Sequence, residues 1–176
     1  HARLRVIEGG ALTSQSLPIS FADTYLDSNQ PTTNRGNNAA LYVGRSPSTS
    51  NTNSKSWTVM EINISSLPVP NPWEVTSANI ELYCYSSSSS STLDVGVFPL
   101  LSNFTEMQAT YNNRNSTLPW PSLYHGGYID GKTVGGVGWY SWNVTQLVQT
   151  ARLRGDDTVL LGFSTPPGTT TVYKQF

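Results

Sequence analysis

Apolar and polar residues alternate with a period of two along most of this chain, and a 3.6-residue helical period is almost absent. The segments "ISFADTYLD", "AALYVG", "SWTVMEINI", "SANIELYCYS", "LDVGVFPL", "GWYSWNV", "DTVLLGF" and "TTVYKQF" therefore read as strands. Turn-forming stretches such as "VPNPW", "GDD" and "PPG" separate them. Short strands at this spacing belong to a sandwich or jelly roll. The best helical candidate is "VTQLVQTARLRG", which is short and stops at Gly155. The predicted fold class is all-β, a jelly-roll-like antiparallel β-sandwich over residues 21–176 with an N-terminal strand extension over residues 1–20.

That extension has a pattern of its own. In "ARLRVIE", Ala2, Leu4 and Val6 share one face and Arg3 and Arg5 the other, and Gly9-Gly10 and a polar connector to Pro18 follow. Such a strand either folds back as an edge strand of its own sheet or swings out to complete a neighbouring copy's sheet. In the second case Arg3, Leu4, Arg5, Val6 and Ile7 form an assembly strand. Two polar stretches, Arg45 to Ser56 and the run Ser86 to Ser91, read as loops, the serine run as a flexible hairpin tip.

Composition narrows the functional classes. The 176 residues suit one domain. Charged residues make up 12%, about half the usual share, and the net charge of -1 gives no field to gather nucleic acid or an anionic membrane surface. No segment approaches the ~20 apolar residues of a membrane span. The single cysteine, Cys84, excludes an intrachain disulfide and reads as a buried, inert thiol. A chain opening on His1 looks like a secreted protein after signal-peptide removal, so an extracellular, cell-surface location is expected.

Candidate chemistry is sparse. "GGYIDGKT", Gly126 to Thr133, fits the phosphate-loop pattern, but "VGGVGWYSW" behind it is no helix, so it reads as a Gly-rich loop entering a strand. Neither His1 nor His125 sits in a metal or Ser-His-Asp pattern, and His125 reads as an exposed loop residue. Glu61, Glu74, Glu81, Glu106, Asp94, Asp130, Asp156 and Asp157 are too scattered to suggest an acid pair for glycoside hydrolysis. No catalytic residue and no cofactor is expected. Asp23, Asp27 and the carbonyls of "DSNQPTTN" offer hard oxygens for a structural calcium ion, and ordinary Asx-turns explain them equally well. Trp57, Trp73, Trp120, Trp139 and Trp142 provide flat apolar rings for sugar stacking. Trp139 and Trp142 fall on opposite strand faces, one of them in the core. "NRNSTLPWPSLYHGG" gathers Trp120, Tyr124 and His125 as candidate glycan contacts.

"ADTYLDSNQPTTNRGNNAALYVG", "INISSLP", "VTSANIELYCY", "FTEMQATYNNRN" and "WYSWNVTQLVQ", in that order over residues 22–176, give a chain that resembles the DNRLRE-type domain family. These are secreted β-sandwich modules of surface proteins and polysaccharide-binding modules beside carbohydrate-active enzymes. The resemblance implies a jelly-roll-like sandwich without a catalytic centre. Where that family usually reads Asp, this chain has Asn63 and Asn143, which weakens any calcium site nearby and creates two N-x-[ST] sequons. With Asn103 and Asn115 there are four candidate glycosylation sites.

Two functions follow as expectations. The leading one is an extracellular structural protein, a self-assembling subunit of a glycosylated surface filament or array whose copies join by N-terminal strand donation. The alternative is a carbohydrate-binding module recognising a polysaccharide.

Overall fold

The computed structural model describes residues 2–8, 15–16, 20–67, 75–168 and 170–176. Their elements are β1 (Ala2–Glu8), β2 (Gln15–Ser16), β3 (Phe21–Asp27), β4 (Tyr42–Arg45), β5 (Lys55–Asn63), β6 (Val75–Cys84), β7 (Ser86–Ser87), β8 (Leu93–Pro99), β9 (Asp130–Val134), β10 (Gly138–Asn143), α1 (Thr145–Arg154), β11 (Thr158–Ser164) and β12 (Tyr173–Gln175). A small sheet runs β10-β6-β1-β2, and a large one runs β7-β12-β4-β5-β11-β8-β9 with β3 also on β5. The ladders are antiparallel. Strand β5 organises the large sheet: Ser56 pairs with both Asp27 and Gly44, and Thr58 with both Tyr25 and Phe163. Thus β3 takes one edge of β5, and β4 and β11 share the other. All-β sandwich architecture is what the alternation predicted.

The core between the sheets follows from that alternation. Leu4, Ile80, Leu82 and Trp142 point in from the small sheet, and Met60, Ile62, Val97 and Phe163 from the large one. Trp142 is fully buried, and its Nε1 donates to Val95 O at 2.9 Å, so the indole ties β10 to β8 across the core. Trp139, three residues earlier, is exposed, as opposite strand faces require. Helix α1 ends where the sequence says: Gly155 takes φ 76°, and its N–H caps the last carbonyls.

In this single chain the N-terminal strand takes the folded-back arrangement of the two considered. The strand carrying Arg3, Leu4, Arg5, Val6 and Ile7 pairs with β6 along its length and with β2 on its other side, within one chain. Leu4 and Val6 are 1% and 2% exposed in the chain's own core. On the other face Arg3 and Arg5 both pair with the buried Glu81 carboxylate. Both faces of β1 thus have partners at home, and β2 covers its outer edge at Arg5 and Val6.

Two further expectations change. The serine run is not a free tip: Ser86–Ser87 form β7 against β12, and the run helps hold Lys174. That side chain is fully buried, and its Nζ donates to Ser87 Oγ at 3.0 Å, Ser91 O at 2.7 Å and Gly135 O at 2.5 Å. A buried ammonium needs all three donors used, and the serines supply acceptors without a counter-charge. The stretch "GGYIDGKT" is loop only as far as Ile129. Asp130 onward is already strand β9, which turns through Gly135-Gly136 into β10.

Candidate functional site

Long side chains also cover the outer face of the large sheet. On β5 the even positions Met60 and Ile62 enter the core, while Trp57 and Val59 point outward. Leu26 of β3 stands opposite Trp57, and Phe98 of β8 and Leu160 of β11 extend the surface. Residues 100–129, the connection from β8 to β9, fold back over this face. A loop of that length without regular structure is a usual place for binding function. Its backbone is pinned by bonds from Leu101 N to Tyr124 O (2.7 Å), Gly126 N to Pro99 O (2.9 Å) and Ile129 N to Val97 O (2.9 Å). Asn34 Nδ2 holds the far end through Glu106 O and Ala109 O.

Loop and sheet together make an aromatic cluster. Tyr124 stacks on Trp57 with centroids 5.7 Å apart and planes 21° apart, and Trp120 lies 5.3 Å from Tyr124. Tyr111 meets Trp57 edge-on at 6.1 Å. The four rings and Leu26 line a cavity of about 210 Å³. That is below the ~300 Å³ of pockets that swallow a drug-sized ligand, so it suits one small ring rather than a buried long one. Trp120 Nε1 donates to Thr110 O at 2.9 Å, which satisfies its polar edge and leaves the ring as an apolar surface. Burial, and then the neighbouring Tyr111 and Tyr128, push the Tyr124 phenol above its ordinary pKa, so it stays a hydrogen-bond donor. His125, expected to be exposed, is half-buried against Tyr124 (4.8 Å), Phe98 (5.0 Å) and Trp57 (6.0 Å). Its Nδ1 faces Gly126 O at 2.8 Å. A carbonyl only accepts, so this contact places a proton on Nδ1.

A flat-ringed, uncharged, half-exposed surface fits the apolar face of a sugar. The model of carbohydrate-binding module family 96 matches residues 15–174. The chain belongs to that family. A search of curated proteins found no match. Membership supports a carbohydrate-binding β-sandwich module, the coarser part of the DNRLRE-type resemblance.

In this family 96 module the sequence-predicted contacts Trp120, Tyr124 and His125 come together, and Trp57 and Tyr111 join them. Trp57, named only as one of five tryptophans offering a ring, could not be placed further because "SWTVMEINI" is buried on both faces: Val59 and Met60 are each 0% exposed, so alternation does not separate core from outer surface. Trp139 is the one exposed tryptophan among the described residues, on the small sheet. Its ring is already covered by the Arg3 guanidinium at 4.0 Å and meets Tyr83 edge-on at 5.3 Å. Trp73 lies outside the described residues, as do His1 and Glu74. A roomier hollow of about 430 Å³ lies between α1 and β11, floored by Leu100, Leu147 and Leu160, but no aromatic ring lines it.

The sequons sit at strand ends and turns. Asn103 and Asn143 are exposed, and Asn63 and Asn115 half-buried. In three of them the sequon hydroxyl donates to the Asn Oδ1: Ser65 to Asn63 at 2.6 Å, Thr117 to Asn115 at 3.4 Å and Thr145 to Asn143 at 2.7 Å. Asn103 Oδ1 accepts from Arg114. Of the residues named for calcium, Asp27 is engaged elsewhere. Asp27 is fully buried, accepting from Asn29 N at 2.9 Å and Ser48 Oγ at 2.9 Å, with the Arg35 guanidinium 4.0 Å away. Those are the partners of an Asx-turn and an ion pair, not a cage of oxygens.

Proposed function

We propose that this family 96 module is a non-catalytic polysaccharide-binding unit working outside the cell, with the glycan seated on the outer face of the large sheet. The observation that carries this is the Trp57–Tyr124 stack with Trp120 and Tyr111 around one cavity. Three properties of that cluster suit sugar. The rings offer apolar faces for C–H groups, their polar edges are internally bonded or remain donors, and little ordering is needed on binding because the loop is already tied down. The low charge agrees with recognition by stacking and hydroxyl hydrogen bonds rather than by electrostatic steering.

Affinity electrophoresis through gels containing xylan, mixed-linkage β-glucan, galactomannan, laminarin or polygalacturonate tests this. The chain should be retarded in at least one gel. Trp57→Ala and Trp120→Ala should each weaken that binding about tenfold or more, while Trp139→Ala leaves it unchanged. Migration unaffected by every polysaccharide, or retardation indifferent to Trp57→Ala and Trp120→Ala, would reject the assignment.

A further inference from the structure

The stretch "GGYIDGKT" holds no phosphate, yet the fold uses it to build a second hollow. Gly96 of β8 and Gly131 of β9 are cross-strand partners, so two adjoining positions of the sheet carry no side chain. Tyr128 lies flat over the first of them. A Cβ on Gly96 would fall 2.2 Å from Tyr128 Cδ1 and 2.6 Å from Cε1. The phenol is fixed as well, 2.6 Å from Ser164 Oγ and 2.7 Å from Thr165 O. The side chain is nonetheless 45% exposed, so one ring face rests on glycine backbone and the other is open. Above Gly131 a Cβ would meet nothing nearer than Val95 O at 4.0 Å. The result is a cleft of about 460 Å³, walled by Tyr128, Asp94, Lys132 and Thr133.

Its chemistry is a ring platform edged by polar groups. Asp94 Oδ1 accepts from Thr133 Oγ1 at 2.6 Å, and the carboxylate is exposed for further acceptance. Lys132 Nζ stands 3.3 Å from Asp130 Oδ2 with its side chain 44% exposed, leaving donors over. A pyranose presents that combination in reverse, C–H groups on one face and hydroxyls around the rim. A chain of packed rings that includes the buried Phe98 runs between the cleft and the aromatic cavity. Centroid steps of 6.1 Å from Tyr128 to Phe98, 5.0 Å to His125 and 6.0 Å to Trp57 lead from one to the other.

We infer that the cleft over Gly131 is a second sugar subsite, and that the ligand is the interior of a chain several sugar units long, spanning both hollows. This rests on the carbohydrate-binding reading above. The test is calorimetric titration with the di-, tetra- and hexasaccharides cut from whichever polysaccharide retards the chain most. The wild type should bind the hexasaccharide about tenfold more tightly than the disaccharide. Gly131→Val fills the cleft with a residue that strands favour, and should bring the hexasaccharide down to disaccharide affinity without changing the disaccharide. Tyr128→Ala should do the same, and decides the matter if Gly131→Val melts early. Equal wild-type affinity for both lengths would overturn the inference. So would wild-type hexasaccharide binding by both variants while Trp57→Ala abolishes it, an outcome that leaves the aromatic site standing alone. Retardation by no polysaccharide would remove the underlying reading and this inference with it.

Discussion

Single side chains carry most of what is specific here. Asp23 on β3 is one whose environment works against its charge: burial first, and then the neighbouring Glu106 carboxylate, hold its pKa above the ordinary carboxylate range. A raised acid pKa means that the folded chain prefers the protonated form. Stability from this group is therefore fully present below the unfolded value of about 3.9 and is lost as pH rises through the raised one. Asp23→Asn should raise the melting temperature at pH 7 and leave it near wild type at pH 3. Equal melting curves at pH 7 would show that Asp23 is not under that strain. At this scale the sequence was partly readable. Trp120, Tyr124 and His125 were found by crowding in one polar loop, and Trp139 and Trp142 by their three-residue spacing. Trp57 was named only among all five tryptophans, and Tyr128 was not singled out at all. The first stands on a strand buried on both faces, and the second is placed by a glycine on a different strand, which no local pattern reports.

Strands with apolar residues on one face or on both were legible, and those made of polar or small residues were not. Segments with alternation became β3, β5, β6, β8, β10 and β11, and "VTQLVQTARLRG" became α1 with Gly155 at its end. Strand β9 lacks the signal because Asp130, Gly131, Lys132 and Thr133 are polar or small at consecutive positions. It is held by pairing with β8 and by the fold around it. The serine run looked like a loop for a similar reason, since its partner Lys174 lies over eighty residues away in sequence. Lys174→Met keeps the buried stem but gives up three hydrogen bonds, for a loss of about 1–3 kcal/mol in urea unfolding. Amide exchange at Ser87–Ser91 should accelerate in that variant while exchange in β5 stays slow. Unchanged exchange in the serine run would mean that the ammonium does not anchor it.

For the molecule as a whole, the N-terminal strand decides between a self-contained sandwich and a linked array. With Leu4 and Val6 in the core and Glu81 paired with Arg3 and Arg5, β1 belongs to the body that carries the proposed binding face. Leu4→Ala should cost about 2–5 kcal/mol of folding stability, as a buried large-to-small change does. Dispersal of a polymer at an unchanged melting temperature would instead mean that β1 pairs between copies. The proposed glycan face is open to a direct measurement. In a titration of ¹⁵N-labelled chain with the hexasaccharide of the retarding polysaccharide, the indole N–H signals of Trp57 and Trp120 should move, and those of Trp139 and Trp142 should hold still. Movement confined to Trp139 would put the sugar on the small sheet and contradict a binding site on the outer face of the large one.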